Sequence, residues 1–242
     1  MLPHWAWRCV LWAVVSLAVA TAACGFAPRR SGSVSNLVWF GGYMLFDTLV
    51  TMGSLQLNPA WLGLDYNWLG KAFCVLAALV FACLGPLRRE EIGLCAPTRW
   101  RGSFLWVLLG LVCVGVMFTP DMQVGRESFL YELTMPGMAE ELTYRGILLA
   151  FLLRAYGDDA KGQWLAAIVT SVAFACIHDL DFQGMHLVCP LGPFAFHFAM
   201  GMFFAWVRLA TGSLLMPVLA HNIDNTSAEL GGLWRLYFSR SG

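Results

Sequence analysis

The chain has 242 residues, of which 59% are hydrophobic and 12% charged, and its mean hydropathy is +0.65. That balance excludes an ordinary soluble domain and points to a membrane protein. Fifteen basic and fifteen acidic side chains cancel, so bulk charge offers nothing to nucleic acid, and none is expected as a partner.

A membrane-crossing helix needs roughly 20 mainly apolar residues. That template fits about eight times, at Trp5–Phe26, Asn36–Leu55, Trp68–Leu87, Ser103–Thr119, Gly137–Arg154, Trp164–His178, Phe194–Ala210 and Ser213–Leu230. The expected fold is therefore all-α, a single integral-membrane domain over residues 1–242 with about eight transmembrane helices. The first span resembles a signal peptide in its Arg8 and its Ala20-Thr21-Ala22 stretch. Arg29 and Arg30 beyond it favour a retained span, because basic residues tend to stay inside. The eight cysteines lie mostly in apolar runs without metal-ligand spacing and read as small packing residues.

Further along, Arg88-Arg89-Glu90-Glu91-Ile92-Gly93-Leu94 mixes both signs and is expected to be a solvated interfacial connector. Arg126 and Glu127 lead into a short surface helix, Ser128–Leu133. Pro136 predicts that the next helix starts or kinks there, which would set Glu140 about one turn inside a positive helix end. Thr211-Gly212 makes the last two spans antiparallel neighbours. Eight basic residues then fall in loops on one side (Arg29, Arg30, Arg88, Arg89, Arg99, Arg101, Lys161 and Arg208) against five on the other (Arg8, Lys71, Arg126, Arg235 and Arg240). The bias predicts both termini outside the cytoplasm.

Ionisable groups inside a span are costly and point to function. Residues four apart share a helix face, so Glu141 lies over Arg145 as a structural pair, while Glu140 has no cation at that spacing and is free to take a proton from water. The other strongly polar groups singled out in apolar spans are His178, His197, and His221 with Asn222, Asp224 and Asn225. His221 and Asn225 share a face, and Phe174 sets an aromatic wall beside His178. Alternating span directions bring Glu140, His178 and His221 to the same half of the membrane. One carboxylate, two imidazoles and an amide fit amide hydrolysis. Glu140 is then the base, His178 positions the water, and His221 and Asn225 donate to the oxyanion. His197 reads as a helix-to-helix contact, His186 as a loop residue, and Gly201 with Ala205 as a close packing seam. A zinc site built from Glu140, His178 and His221 is the competing arrangement for the same residues, although no HExxH segment is present.

These residues resemble the CPBP intramembrane proteases (the Abi family), which include type II CAAX prenyl endopeptidases and bacteriocin-processing or immunity proteins. Glu140-Glu141-Leu142-Thr143-Tyr144-Arg145 matches EExxxR, Phe174-Ala175-Cys176-Ile177-His178 matches FxxxH, and His221-Asn222-Ile223-Asp224-Asn225 matches HxxxN. Phe198–Gly201 and Thr211–Leu214 also fit, so the likeness covers about residues 135–226. The resemblance implies a glutamate-type endopeptidase with Glu140, His178, His221 and Asn225 as catalytic residues and Glu141, Arg145 and Phe174 in support. It implies a membrane-associated protein or peptide substrate, prenylated or bearing a sorting tail, cut near its C-terminus in the lipid bilayer of the cell membrane. No cofactor is expected from the residues themselves, whereas the family's metalloprotease label keeps a divalent metal such as zinc open. Two other classes use the same groups: a non-catalytic peptide-binding or immunity protein, and a proton-relaying transporter.

Overall fold

The computed structural model describes residues 3–27, 30, 32–55, 63–98, 103–118, 126–183 and 186–238. Of the basic residues in the orientation tally, Arg29, Arg99, Arg101 and Arg240 lie outside the described residues. The helices are α1 (His4–Cys24), α2 (Ser33–Leu55), α3 (Trp68–Leu84), α4 (Arg89–Ile92), α5 (Ser103–Phe118), α6 (Arg126–Glu141), α7 (Leu149–Tyr156), α8 (Ala160–Asp179), α9 (Leu191–Thr211) and α10 (Leu215–Phe238). A π-helical segment, Leu142–Leu148, joins α6 to α7.

Among the described residues, His4–Cys24, Ala160–Asp179 and Leu191–Thr211 are long and apolar enough to cross a membrane, and Trp68–Leu84 and Phe104–Cys113 are shorter apolar helices. Large apolar side chains such as Trp7, Val34, Leu84 and Trp106 stay exposed. Such a coat suits lipid and would be a liability in water.

The expectation of an all-helical chain needs one amendment. Strands β1 (Asp181–Gln183) and β2 (His186–Val188) form an antiparallel hairpin beyond α8, so His186 sits in a strand. Between α8 and α9 the backbone groups of these strands pair across the hairpin. Trp12 Nε1 donates to Leu180 O at 2.7 Å and Arg8 Nε reaches Asp181 at 2.9 Å, so α1 holds this end of α8 in place.

Packing follows the small residues. Gly201 on α9 lies so close to α8 that an added Cβ would come within 2.9 Å of Ser171 Cβ and 3.0 Å of its Cα. Membrane helices gain little from apolar contact alone and associate through such close approaches. The expected Gly201–Ala205 seam is therefore real, and Ala205 is fully buried in it. The main core joins α1, α2, α7 and α8 around Phe40, Met44, Phe151, Tyr156 and Phe174. A smaller one joins α5, α9 and α10 through Phe104, Phe204, Met216 and Ala220.

Two expectations are corrected. The short helix at Ser128–Leu133 is not separate, because α6 runs from Arg126 through Pro136 to Glu141. Pro136 contributes no N–H, and the next one, of Gly137, donates to Asn222 Oδ1 at 2.9 Å, so α10 holds the α6 backbone across the expected break. Glu140 consequently lies near the end of a 16-residue helix, remote from any positive helix terminus.

The mixed-charge segment at residues 88–94 is likewise more than a solvated connector. Arg154 at the end of α7 grips Glu91 with two bonds, Nε to Oε1 at 2.8 Å and Nη2 to Oε2 at 2.6 Å, while Ile92 is fully buried. Arg208 Nη2 donates to Glu91 O at 2.9 Å and the Leu214 N–H to Gly93 O at 2.9 Å, so α4 pins the α9–α10 turn. Gly93 has φ +89°, and a Cβ there would strike the Arg208 guanidinium.

Candidate active site

Glu140 comes from the last turn of α6, His178 from the last turn of α8, and His221 from the second turn of α10. Their polar atoms converge. Glu140 Oε2 lies 4.0 Å from His178 Nε2 and 3.8 Å from His221 Nε2, on the wall of a cavity of about 440 Å³ that Asn225 also lines.

Each imidazole is oriented from behind. His178 Nδ1 is 2.8 Å from the Phe174 carbonyl, and His221 Nδ1 is 2.8 Å from Glu141 Oε1. A carbonyl oxygen, or a carboxylate paired with Arg145, can only accept, so both Nδ1 atoms donate and both Nε2 atoms face Glu140. Rings fix the remaining freedom. Phe204 stacks on His221 with centroids 4.7 Å apart at 7°, and Phe174 lies against His178 at 4.5 Å.

Glu141 and Arg145 form the expected pair at 2.9 Å, with both side chains fully buried. The sequence reading missed that Glu141 also serves His221. Arg145 in turn donates to Gly201 O at 3.2 Å and lies 4.4 Å over the Phe174 ring, tying α9 and α8 to the segment that carries both glutamates. The π-helical turn that begins right after Glu141 adds a residue to the helical repeat here, a device that recurs at functional sites.

Asn225 shares the large cavity, but its Nδ2 donates to Glu132 Oε2 at 2.8 Å; an amide nitrogen has a second proton to offer. Asn222 clips α10 to α6 through Gly137. His197 bonds Asp179 at 2.7 Å and stacks on His178 at 4.5 Å, so it is a helix contact as expected and a wall of the site as well.

One expectation about Glu140 is wrong. It does have a cation: Lys71 Nζ lies 2.6 Å from Glu140 Oε1, with the two side chains 14% and 11% exposed. Lys71 comes from α3, about 70 residues away in sequence, and a search at helical spacing around Glu140 could not find it. A signal did exist. Lys71 is the lone charged residue of Trp68–Leu84 and sits in that helix's first turn, where the dipole disfavours a cation. Asp47 is similarly alone in Ser33–Leu55; it accepts from Thr143 Oγ1 at 2.8 Å and lines a second cavity, of about 260 Å³, with Lys71 and Glu140.

Among the described residues, no group of three or more His, Cys, Asp and Glu side chains is arranged to hold a metal ion. The cation that meets Glu140 is the lysine ammonium, on Oε1, while Oε2 and the two imidazole Nε2 atoms face one gap.

Residues 127–227 match the family model described as Type II CAAX prenyl endopeptidase Rce1-like. Through this segment, a little over two fifths of its length, the chain is similar to the type II CAAX prenyl endopeptidases. The match begins just inside α6 and ends in α10, so it takes in every element that carries Glu140, Glu141, Arg145, His178 and His221. The family is a family of membrane-integral proteases. Neither a curated protein nor a solved structure matches the chain.

Proposed function

We propose that the chain is a multi-pass intramembrane endopeptidase of the glutamate type that cuts a membrane-associated protein or peptide near its C-terminus. The observation that supports this most is the gap around Glu140 Oε2. Separations of 3.8 and 4.0 Å to the two imidazole Nε2 atoms are too long for direct hydrogen bonds and suit one bridging water.

Such a water donates one proton to Glu140 Oε2 and the other to His178 Nε2, leaving an oxygen lone pair for a carbonyl carbon in the large cavity. Glu140 takes the first proton as attack proceeds. The oxyanion receives the free Asn225 N–H and, when both ring nitrogens of His221 are protonated, its Nε2–H. Glu141 orients the ring for that donation by accepting from Nδ1.

Residues 1–242 act as one membrane domain, with the reacting groups in 135–226 and about eight spans in the cell membrane. Reporter fusions at either terminus test the orientation, and a cytoplasmic C-terminus overturns the one that the basic residues predict.

The rival reading, a non-catalytic peptide-binding or immunity protein, draws support from the Lys71–Glu140 pair, since a neutralised carboxylate is a weaker base. The two separate cleanly in one comparison. Membrane-protein termini are determined by mass spectrometry in cells carrying the wild type or Glu140→Gln. New termini that vanish in the variant are expected; the same termini in both would refute the assignment of Glu140 as base.

A further inference from the structure

Glu140 presents its two oxygens to different partners: Oε2 faces the imidazoles, while Oε1 is held by Lys71 at 2.6 Å. Lys71, Tyr131, Glu140 and His178 line both cavities, so the ion pair stands on the wall between the large space and the smaller one. The smaller space is mixed in character. Trp12, Met52 and Leu55 line it beside Asp47 and Thr51, as does Tyr144, which is 1% exposed and whose hydroxyl has no hydrogen-bond partner among the described residues. A buried unpaired hydroxyl is costly, and it marks the chamber as built for a polar occupant.

Amide hydrolysis needs a second proton transfer, to the leaving nitrogen. The leaving nitrogen departs as an amine only if it is protonated when the C–N bond breaks. With its Nδ1 bound to Phe174 O, neutral His178 offers Glu140 and the water an acceptor at Nε2. Arg145 cannot give up a proton, and its Nη1 is bound to Glu141. Lys71 has three N–H donors and only one acceptor, Glu140 Oε1, among its hydrogen bonds in the described residues.

We propose that Lys71 is the general acid that protonates the leaving amine, and that the chamber of about 260 Å³ receives this amine-side product. The inference rests on Glu140 being the base. Glu140 takes a proton from water as the C–O bond forms and the carbonyl pair moves onto oxygen. Collapse of the oxyanion then breaks the C–N bond, and the nitrogen takes a proton from the Lys71 ammonium. Glu140 finally hands its proton across the 2.6 Å contact to the neutral Lys71 amine, which restores both groups. Water is consumed, a carboxylic acid and an amine are formed, and no other reactant is needed.

The test uses the full-length protein in liposomes, with a farnesylated CAAX-type peptide and the same peptide carrying a thioester at the scissile position. A thiolate leaves without a proton, so the thioester bypasses the acid but not the base. Lys71→Arg keeps the charge and the partner of Glu140, and so the fold, but cannot release a proton. It is expected to lose about 100-fold or more in kcat/KM on the amide, while the thioester stays within roughly tenfold of wild type. Lys71→Met should show the same split. Equal losses on both substrates, or no loss on the amide, overturn the proposal and leave Lys71 a counter-ion. Glu140→Gln should lose both substrates. If it keeps the amide, the base assignment fails separately, and a wild type that cuts neither probe removes both.

Discussion

His221 Nδ1 and Glu141 Oε1 lie 2.8 Å apart, and the same carboxylate oxygen accepts from Arg145 Nη1 at 2.9 Å. One buried oxygen thus sets the orientation of an imidazole on α10 and neutralises a guanidinium in the π-helical turn. Glu141→Gln keeps an acceptor but strips Arg145 of its counter-charge, and losing one partner of a buried pair costs about 3–5 kcal/mol. Thermal unfolding in detergent should show a large drop, and the folded remainder should be slower than wild type. An unchanged melting temperature would mean that the pair is not structural.

Phe204 is expected to matter for rate more than for binding. It stacks on His221 at 4.7 Å and lies 5.4 Å from the Arg145 guanidinium. Phe204→Leu keeps apolar bulk and removes the flat surface, so kcat should fall by roughly tenfold to a hundredfold with KM little altered, as when an interaction made in the transition state is lost. A change in KM alone places Phe204 in substrate binding instead.

At Gly137 the backbone of α6 lies close against α10. A Cβ would sit 2.2 Å from Asn222 Oδ1 and 3.0 Å from Val218 O, and the second of these is backbone. Gly137→Ala should therefore destabilise by about 1–3 kcal/mol. Adding Asn222→Ala removes the first clash only, and partial recovery in the unfolding midpoint is the expected signature. Full stability of the single variant shows that the helices can separate freely.

The clamp at Glu91 predicts a pH dependence. The bonds from Arg154 hold its carboxyl below the usual value of 4.5, at about 2. A depressed carboxylate contributes stability that is fully present above about pH 4.5 and fades as pH falls toward 2. Wild type should exceed Glu91→Gln in melting temperature by a constant margin at neutral pH, and the margin should shrink between those values. A margin that grows on acidification contradicts the assignment.

Chelation gives a further prediction. With Lys71 on Glu140 and no three-ligand cluster among the described residues, cleavage by the purified protein should survive a divalent-metal chelator. Activity lost to the chelator and regained with zinc would show that Lys71 yields its place to an ion.

What could be read from the chain alone was whatever a helix expresses locally. Apolar runs announced helices, three of which among the described residues are long and apolar enough to cross a membrane, and spacing by four gave the Glu141–Arg145 pair, which stands at 2.9 Å. The order EExxxR, FxxxH, HxxxN brought forward Glu140, His178 and His221, which do meet across 3.8–4.0 Å.

Only the tertiary structure decided which groups sit on one another from distant helices. Lys71 on Glu140, Glu141 on His221, Asn225 on Glu132 and Asn222 on Gly137 all join residues about 70 to 95 positions apart. Periodicity reports which face of its own helix a residue occupies. It carries nothing about which neighbour that face will meet, and a charge buried in lipid takes its partner from whichever helix packs against it.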